Sequence, residues 1–400
     1  MENRLMKTQL TTNLFANLFC SNCGAIYSGS SINSISPCCN KALLSNYHLD
    51  EYSSKELINI EDNSMWRYTS LLPIAERRNI VSLKEGGTPI ISLDKLAAKN
   101  NMASVLMKDE SYNPTGSFKA RGLSAAVSKA KELGIDKLII PTAGNAGAAL
   151  AAYAAKAGMQ CIVVMPEHTP DVFKKECILF GAELILVTGL IDHCAKKVEE
   201  IKRSRDYFDV STLKEPYRLE GKKTMGYEIA EQLHWQLPDI IVYPAGGGTG
   251  MIGIWKAFQE MLKLGWINDT LPKMIAVQSL NCAPLAQAVH NRSNWKENFS
   301  PLPTIANGLA VPFPFGMELM LEVIDASGGE VTTVNEQEII EAIKEVAQTE
   351  GLLLSPEGAA AWKATEHLAK NKKILAHEKV LFLNTATGYK YLQSISMELI

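Results

Sequence analysis

Lys119 stands in a setting that favours amine chemistry. The apolar run Ser104 to Met107 predicts a strand, Pro-Thr-Gly at 114–116 predicts a tight turn, and the small and basic residues after it predict a helix. Ser117 is the expected N-cap, so Lys119 falls in the first helical turn, where the helix dipole disfavours a second positive charge. Such a lysine is expected to have a lowered pKa, and a neutral amine is the form that makes a Schiff base. Taken alone, the same lysine could simply be solvated at a helix start.

A second stretch with chemical potential is Pro-Ala-Gly-Gly-Gly-Thr-Gly at 244–250. It follows an apolar run, Asp239 to Tyr243, and precedes a predicted helix from Met251 to Lys263. Glycines at a strand-to-helix turn expose N–H groups at the positive end of the helix, so the turn is predicted to cradle a phosphate. The residues of this cradle are Gly246, Gly247, Gly248, Thr249 and Gly250. A flexible turn without a ligand is the alternative, and no Gly-Lys-Ser/Thr follows to make it a Walker loop.

Strand-like and helix-like segments alternate strictly between residues 133 and 210. Their short connections predict a parallel α/β unit with right-handed crossovers, which we place at residues 131–210 as a small domain. Within it, the turn at 142–147 lies where a strand ends and a helix begins, the usual ligand edge of such a sheet. Small residues there let a flat ring approach the backbone, and the amide of Asn145 can hydrogen-bond an oxygen on that ring.

Two of the four cysteines near the N-terminus have the spacing of metal ligands. Cys20 and Cys23 form a Cys-x2-Cys pair, which is half of a zinc knuckle, whereas Cys38 and Cys39 are adjacent and depart from the usual spacing. A structural zinc site and unmetallated packing therefore both remain open. The other four cysteines are scattered singly and fit buried thiols better than a disulfide framework.

Composition describes an ordinary globular protein. The chain has 400 residues, enough for two to three domains, with 46% hydrophobic and 21% charged residues. The net charge of −3 gives no basic footprint for nucleic acid or membrane, so small molecules and copies of the chain itself are the expected partners. No signal peptide or membrane span is evident, and a cytoplasmic location is expected.

The segment from Asn113 to Gly122, Asn-Pro-Thr-Gly-Ser-Phe-Lys-Ala-Arg-Gly, resembles the cofactor-lysine motif of fold-type II pyridoxal phosphate enzymes. That resemblance implies that Lys119 holds pyridoxal 5'-phosphate, that Asn145 contacts its ring oxygen and that the glycine turn holds its phosphate. It also implies a tryptophan synthase β-like α/β fold with open, twisted, mostly parallel sheets in two domains. The expected large domain covers 51–130 and 211–400, beside the small domain and a zinc-ribbon-like segment at 1–50.

Three further segments resemble the threonine synthases within that group. Glu-Gly-Gly-Thr-Pro at 85–89 resembles a segment at the substrate mouth, which makes Thr88 a candidate. Arg-Leu-Glu-Gly-Lys-Lys-Thr at 218–224 implies that Arg218 and Lys222 meet an anionic substrate group, and a solvated helix cap is the alternative. Thr387-Gly388 implies a hydroxyl, on Thr387, facing the pyridine nitrogen. Lys108 and Arg121 are further candidates for the substrate phosphate.

The implied reaction converts O-phospho-L-homoserine and water to L-threonine and phosphate, and the family favours a homodimer. Ala120, which follows the lysine, departs from the aspartate common in threonine synthases and is closer to the dehydratases. A threonine or serine dehydratase, an O-phosphoserine-using synthase and a non-catalytic amino-acid sensor are the alternatives. The intact Lys119 argues against the sensor.

Overall fold

The computed structural model describes residues 13–49, 53–297 and 299–395 of the chain. The strands there are β1 (Phe15–Cys20), β2 (Ile26–Tyr27), β3 (Leu43–Tyr47), β4 (Ile90–Ser92), β5 (Ser104–Asp109), β6 (Lys137–Pro141), β7 (Gln160–Pro166), β8 (Glu183–Val187), β9 (Phe208–Asp209), β10 (Ile240–Pro244), β11 (Lys273–Ser279), β12 (Glu330–Val334) and β13 (Lys379–Asn384). The helices there are α1 (Asp94–Lys99), α2 (Lys119–Glu132), α3 (Asn145–Ala157), α4 (Asp171–Leu179), α5 (Ile191–Lys202), α6 (Tyr217–Gln232), α7 (Thr249–Lys263), α8 (Pro284–His290), α9 (Met317–Ser327), α10 (Glu336–Glu350) and α11 (Pro356–Lys370).

The largest sheet has six strands in the order β12-β11-β10-β13-β5-β4. Its neighbours pair in parallel except at the edge, where β4 runs antiparallel to β5. The central strand β10, Ile-Ile-Val-Tyr-Pro, is buried at every position because helices cover both faces of the sheet. Ile241 and Tyr243 pack in the core on the side of α6 and α7, while Ile240 and Val242 pack with α10 and α11.

A second sheet has four parallel strands in the order β8-β7-β6-β9. Leu138 and Ile140 of β6 face the core with α3, whereas Ile139 faces a smaller core with α5. Alternate residues of the strand therefore pack against helices on opposite faces of the sheet. The predicted α/β class with mostly parallel sheets is confirmed. The exact domain boundaries stay a prediction, since α2 packs against both α3 and α6.

The N-terminal residues form a three-stranded antiparallel sheet in the order β2-β1-β3. It is attached to the body of the protein by buried contacts: the Tyr47 hydroxyl of β3 donates a hydrogen bond to Glu220 of α6 at 2.7 Å. Leu18 and Leu43 pack in one apolar cluster with Tyr217, the first residue of that helix. The cysteine-bearing segment therefore packs directly against α6, the helix that carries Arg218.

Helices α2 and α6 cross unusually closely. A Cβ added to Gly221 would lie 2.0 Å from the carbonyl oxygen of Arg121, so only glycine permits this approach. Gly122 likewise faces the backbone of Arg218, with 2.9 Å from its ideal Cβ to the Arg218 carbonyl oxygen. The crossing brings basic side chains of the two helices close together inside the protein.

Over the described residues, no helix combines the length and apolarity that a membrane crossing requires.

Candidate active site

A cavity of about 500 Å³ opens where strands of both parallel sheets end. Helix α2, with Lys119, contributes one wall, and the turn after β6, with Asn145, contributes another. The turn after β10 also lines the cavity, as does Thr385, which directly follows β13. Carboxyl ends of parallel strands meet at one edge of a sheet, so the topology gathers residues that lie far apart in the chain.

Lys119 lies in the first turn of α2, as the sequence predicts, and is the first residue of that helix, because the helix begins one residue later than a Ser117 cap would place it. Phe118 occupies the N-cap position, and the buried hydroxyl of Ser117 has no hydrogen-bond partner among the described residues. The ammonium group lies 4.3 Å from the centre of the Phe118 ring. Burial, and then the positive charge of Arg218, lower the pKa of Lys119 from 10.5 to about 8. Its surroundings therefore give Lys119 a far larger neutral fraction at neutral pH than an ordinary lysine has.

The glycine turn after β10 is tightly built. Gly246, Gly247, Gly248 and Thr249 line the cavity, and Gly248 has a φ of +76°, which favours glycine. A Cβ on Gly246 would lie 2.1 Å from the carbonyl oxygen of Gly308, and one on Gly248 would lie 2.3 Å from the sulfur of Met320. Gly250 does not line the cavity; it packs against the hydroxyl of Tyr243. The turn leads into α7, so an anion there would meet the positive end of that helix.

A chain of hydrogen bonds runs along one side of the cavity. The Asn145 amide donates to the Tyr391 hydroxyl at 3.0 Å, and that hydroxyl donates to Glu357 Oε1 at 3.2 Å. Glu357 also accepts the N–H of Gly308 at 2.7 Å, and burial raises the pKa of its carboxyl group. Its second oxygen is buried without a partner among the described residues. Sequence reasoning missed Glu357 and Tyr391, because the contacts that join them cross from the last helix to the last turn.

The threonine at the end of β13 that enters the cavity is Thr385. Thr387 lies outside the cavity lining, since its hydroxyl accepts the N–H of Tyr389 and its methyl group faces Gly116. The sequence prediction for Thr387 is corrected here: Thr387 is the N-cap of the following turn, whereas Thr385 comes directly after the strand. The signal that could have found Thr385 is its position, one residue past the apolar strand.

Of the basic residues predicted to meet substrate phosphate, only Arg218 lines the cavity. Its side chain is buried, its Nη1 donates to the Val210 carbonyl at 2.6 Å, and its Nε has no partner among the described residues. Lys222, one turn later on α6, lies behind the glycine turn with its ammonium group hydrogen-bonded to Thr249. Lys119, Arg218 and Lys222 are called the cavity cations below.

Thr88, predicted at the substrate mouth, and Lys108 and Arg121, predicted as candidates for the substrate phosphate, do not line this cavity. Arg121 donates to Glu110 at 2.6 Å and to Glu228 at 2.6 Å, and all these side chains are 0–3% exposed. Lys108 lies 2.9 Å from the same Glu228, and Thr88 donates to Glu110 at 2.6 Å. Lys108, Glu110, Arg121 and Glu228 form a charge-balanced set, called the paired cluster below. Its cations already have carboxylate partners, so none is free for a substrate.

The four N-terminal cysteines converge. The sulfur atoms of Cys20, Cys23, Cys38 and Cys39 all lie within 4.8 Å of one another. Four thiolates at about 2.3 Å from one zinc ion in a tetrahedron would be about 3.8 Å apart, so the cluster has the right size for such a site. The adjacency of Cys38 and Cys39, which seemed unfavourable in the sequence, does not keep their sulfurs apart.

The sequence profile described as pyridoxal-phosphate dependent enzyme matches residues 81–386, more than half of the chain. The chain is 34% identical to threonine synthase of Methanocaldococcus jannaschii over 338 residues, covering 84% of this chain and 83% of that protein. It is also 34% identical to threonine synthase of Methanosarcina acetivorans, over 94% of this chain and 93% of the relative. The chain belongs to the pyridoxal-phosphate dependent enzymes, in the threonine synthase family.

Solved structures with the same fold include other members of the enzyme group. Maize serine racemase superposes with a TM-score of 0.65 at 19% identity, over 78% of this chain and 89% of the other. Threonine deaminase isoform 2 from Solanum lycopersicum gives 0.64 at 22% identity, over 78% and 87% of the two chains. These likenesses confirm the fold-type II architecture, and the sequence relatives place the chain among threonine synthases rather than dehydratases.

The residues around the cavity fit the family's cofactor. Lys119 supplies an amine with a lowered pKa, and the glycine turn leaves no room for side chains where a phosphate would lie against backbone N–H groups. Asn145 and Thr385 present polar groups to the same space. An amine, an anion cradle and polar groups that can face a ring are the set that pyridoxal phosphate requires.

Proposed function

We propose that this chain converts O-phospho-L-homoserine and water to L-threonine and phosphate, as a carbon–oxygen lyase in threonine biosynthesis. The observation that carries the proposal is the cavity in which Lys119 lies beside Arg218, a buried cation that forms no ion pair with a described carboxylate. A doubly anionic substrate phosphate is the natural partner of such a guanidinium. The two sequence relatives described above, both named threonine synthase, support the same reaction.

The cofactor contacts are part of this proposal. Lys119 would hold pyridoxal phosphate, with Asn145 available to its ring oxygen and the turn at Gly246–Thr249 to its phosphate. Thr385 would offer the ring nitrogen a neutral hydroxyl, which would favour elimination over the transaminase chemistry that a carboxylate partner supports. When bound, pyridoxal phosphate supplies an electron-accepting ring that acidifies the C–H bonds near the substrate's amine.

The protein's own groups then divide the work. The Lys119 amine removes a proton from the substrate's α-carbon and then one from its β-carbon, a task suited to a pKa near 8. Arg218 holds the phosphate while the bond between phosphate oxygen and the γ-carbon breaks. Water adds its hydroxyl at the β-carbon and its proton leaves with the phosphate, while the two protons taken from the substrate return to the γ-carbon, which ends as a methyl group, and to the α-carbon. Glu357 fixes Tyr391, which in turn fixes the Asn145 amide.

The test is to incubate the purified protein with O-phospho-L-homoserine and follow inorganic phosphate and threonine. Equal release of the two, abolished in Lys119→Ala but retained in Lys131→Ala, is the expected result, because Lys131 lies exposed on the same helix. A 2-oxo acid formed from threonine or serine, with no phosphate released from the phosphorylated substrate, would assign the protein to the dehydratases instead.

We further propose that Cys20, Cys23, Cys38 and Cys39 bind one structural zinc ion. Their convergence supports this. The segment is also attached to the rest of the protein: Ser34 donates to the carbonyl of Lys214, a cavity-lining residue, at 2.8 Å, and Lys41 pairs with Glu318 of α9 at 2.7 Å. One zinc per chain by elemental analysis is expected, lost in Cys23→Ser and retained in Cys194→Ser. Absence of metal from the protein purified with added zinc would refute the site.

A homodimer in the cytoplasm completes the proposal and rests on the family resemblance. Light scattering of the purified protein should give about twice the chain mass of 43.9 kDa, and a mass equal to one chain would contradict the dimer. Cell fractionation tests the location.

A further inference from the structure

Lys222 is a buried lysine in an unusual position. It lies on α6 behind the glycine turn, with 0% of its surface exposed. Its ammonium group donates to the hydroxyl of Thr249, the first residue of α7. Gly122 of α2 leaves room for its stem, since an added Cβ there would lie 3.1 Å from Lys222 Cε. Three helices therefore hold this one ammonium group against the back of the phosphate cradle.

The other buried lysines nearby have carboxylate partners, and Lys222 does not. Lys108 lies 2.9 Å from Glu228, and Lys223, the next residue on the helix, lies 2.6 Å from Glu220. Among the described residues, no carboxylate oxygen lies within 4.0 Å of the Lys222 ammonium. A buried charge without a partner is costly, so either the group is neutral or an anion approaches it.

The charged groups around Lys222 favour the first state when no ligand is bound. Burial lowers the pKa of Lys222 well below its ordinary value, and the positive charges of Lys119 on α2 and Arg218 on α6 act in the same direction. Glu215, just before α6, is the acid that opposes them, but burial raises the pKa of its own carboxyl group to about 7. Thr249 on α7 is uncharged. The two neighbouring cations therefore outweigh this one acid until an anion enters the cradle.

We propose that Lys222 is the buried counter-ion of the cofactor phosphate: neutral in the apoprotein, it takes up a proton as the phosphate enters the turn at Gly246–Thr249. Cofactor binding then carries a proton with it, and Lys222 contributes to affinity for the phosphate rather than for the ring. The inference rests on the family's cofactor and is independent of which substrate is used.

The experiment compares binding of pyridoxal phosphate and of pyridoxal, which lacks the phosphate, to the apoprotein. Lys222→Met should weaken binding of pyridoxal phosphate on the order of 10- to 100-fold, the range for a lost charge-assisted interaction, and leave pyridoxal affinity nearly unchanged. Lys223→Met is the matched control, since that lysine is buried next to it on the same helix and faces carboxylates. Equal losses for both ligands, or no loss for either, would overturn the proposal.

The proton is measured separately by calorimetry in two buffers of different ionisation enthalpy. The wild type should take up about one proton more per pyridoxal phosphate bound than Lys222→Arg, because a guanidinium stays charged in the apoprotein. Lys222→Arg should keep the preference for pyridoxal phosphate over pyridoxal. This comparison still tests the proposal if the methionine variant does not fold. Equal proton uptake by the wild type and Lys222→Arg would refute the coupling. Failure to form threonine would leave both binding results unaffected.

Discussion

Two groups of buried charges lie along the helices α2 and α6 and differ in one respect; the paired cluster also includes Lys108 of β5 and Glu110, directly after that strand. The paired cluster sets Lys108 and Arg121 against two carboxylates, Glu110 and Glu228, at distances of 2.6–2.9 Å. The cavity cations are three basic groups without such partners among the described residues. A buried charge needs an opposite charge nearby, and the paired cluster supplies its own carboxylates for this. The cavity cations obtain an opposite charge only when a ligand brings one.

The difference shows how to separate structural from ligand-binding basic residues in this enzyme. In the sequence, Lys108, Arg121 and Arg218 look equally suited to bind phosphate. Their carboxylate partners decide the matter, and those partners lie 11 to 120 positions away in the chain. A buried cation that has its own carboxylates supports the fold, and one that lacks them is expected to meet the substrate or the cofactor.

The largest effect should come from removing a carboxylate of the paired cluster. Glu228→Gln leaves Lys108 and Arg121 short of one negative charge, which should lower the free energy of unfolding by about 3–5 kcal/mol. The measurement is the urea midpoint at unchanged slope. Glu231→Gln, on the same helix but with a partly exposed pair to Arg67, should cost less. A loss below that of the control would mean that the paired cluster is not a stabilising unit.

The next effect concerns the protonation of Lys119. A group whose pKa is lowered to about 8 loses its proton as the pH rises through 8, so labelling of Lys119 in the apoprotein by an amine-specific reagent should rise with a midpoint near that pH. At pH 8 its neutral fraction should exceed that of an ordinary lysine on the order of 100-fold. Arg218→Met should move the midpoint upward, since one repelling charge is lost. An unchanged midpoint in that variant would show that the charge of Arg218 does not lower the pKa of Lys119.

A smaller effect is expected for substrate binding by Arg218. Arg218→Met should raise the KM for O-phospho-L-homoserine about 10- to 100-fold, the range for a hydrogen bond to a charged group, with a smaller change in kcat. Steady-state kinetics test this, with Arg205→Met as the control, because Arg205 forms an exposed pair with Glu183. A fall in kcat at constant KM would place Arg218 in the chemical step rather than in binding.

The smallest effect should come from an exposed ion pair. Arg292 and Asp325 lie 2.6 Å apart, but their side chains are 57% and 54% exposed. Solvent screens such a pair, so Arg292→Ala should change the free energy of unfolding by less than about 1 kcal/mol in the same urea experiment. A loss equal to that of Glu228→Gln would show that burial is not what distinguishes the paired cluster.

Local pattern predicted much of the architecture. The alternation of apolar and helical segments between residues 133 and 210 predicted the smaller parallel sheet, and the turn before α2 predicted that Lys119 lies in the first turn of that helix. The glycine turn before α7 was also evident, because its function needs only consecutive residues. In each case the property depends on neighbours in the chain, through backbone geometry and helix dipoles.

The sequence by itself determined which residues could do chemistry: a lysine at a helix start, a glycine turn, an asparagine at a strand end and four cysteines near the N-terminus. The tertiary structure decided which of them share a space. It selected Thr385 over Thr387, joined Tyr391 to Glu357, and gave carboxylates to Lys108 and Arg121 while leaving Arg218 and Lys222 without them. The reason is physical: burial and charge pairing depend on distances through space, which spacing along the chain does not set.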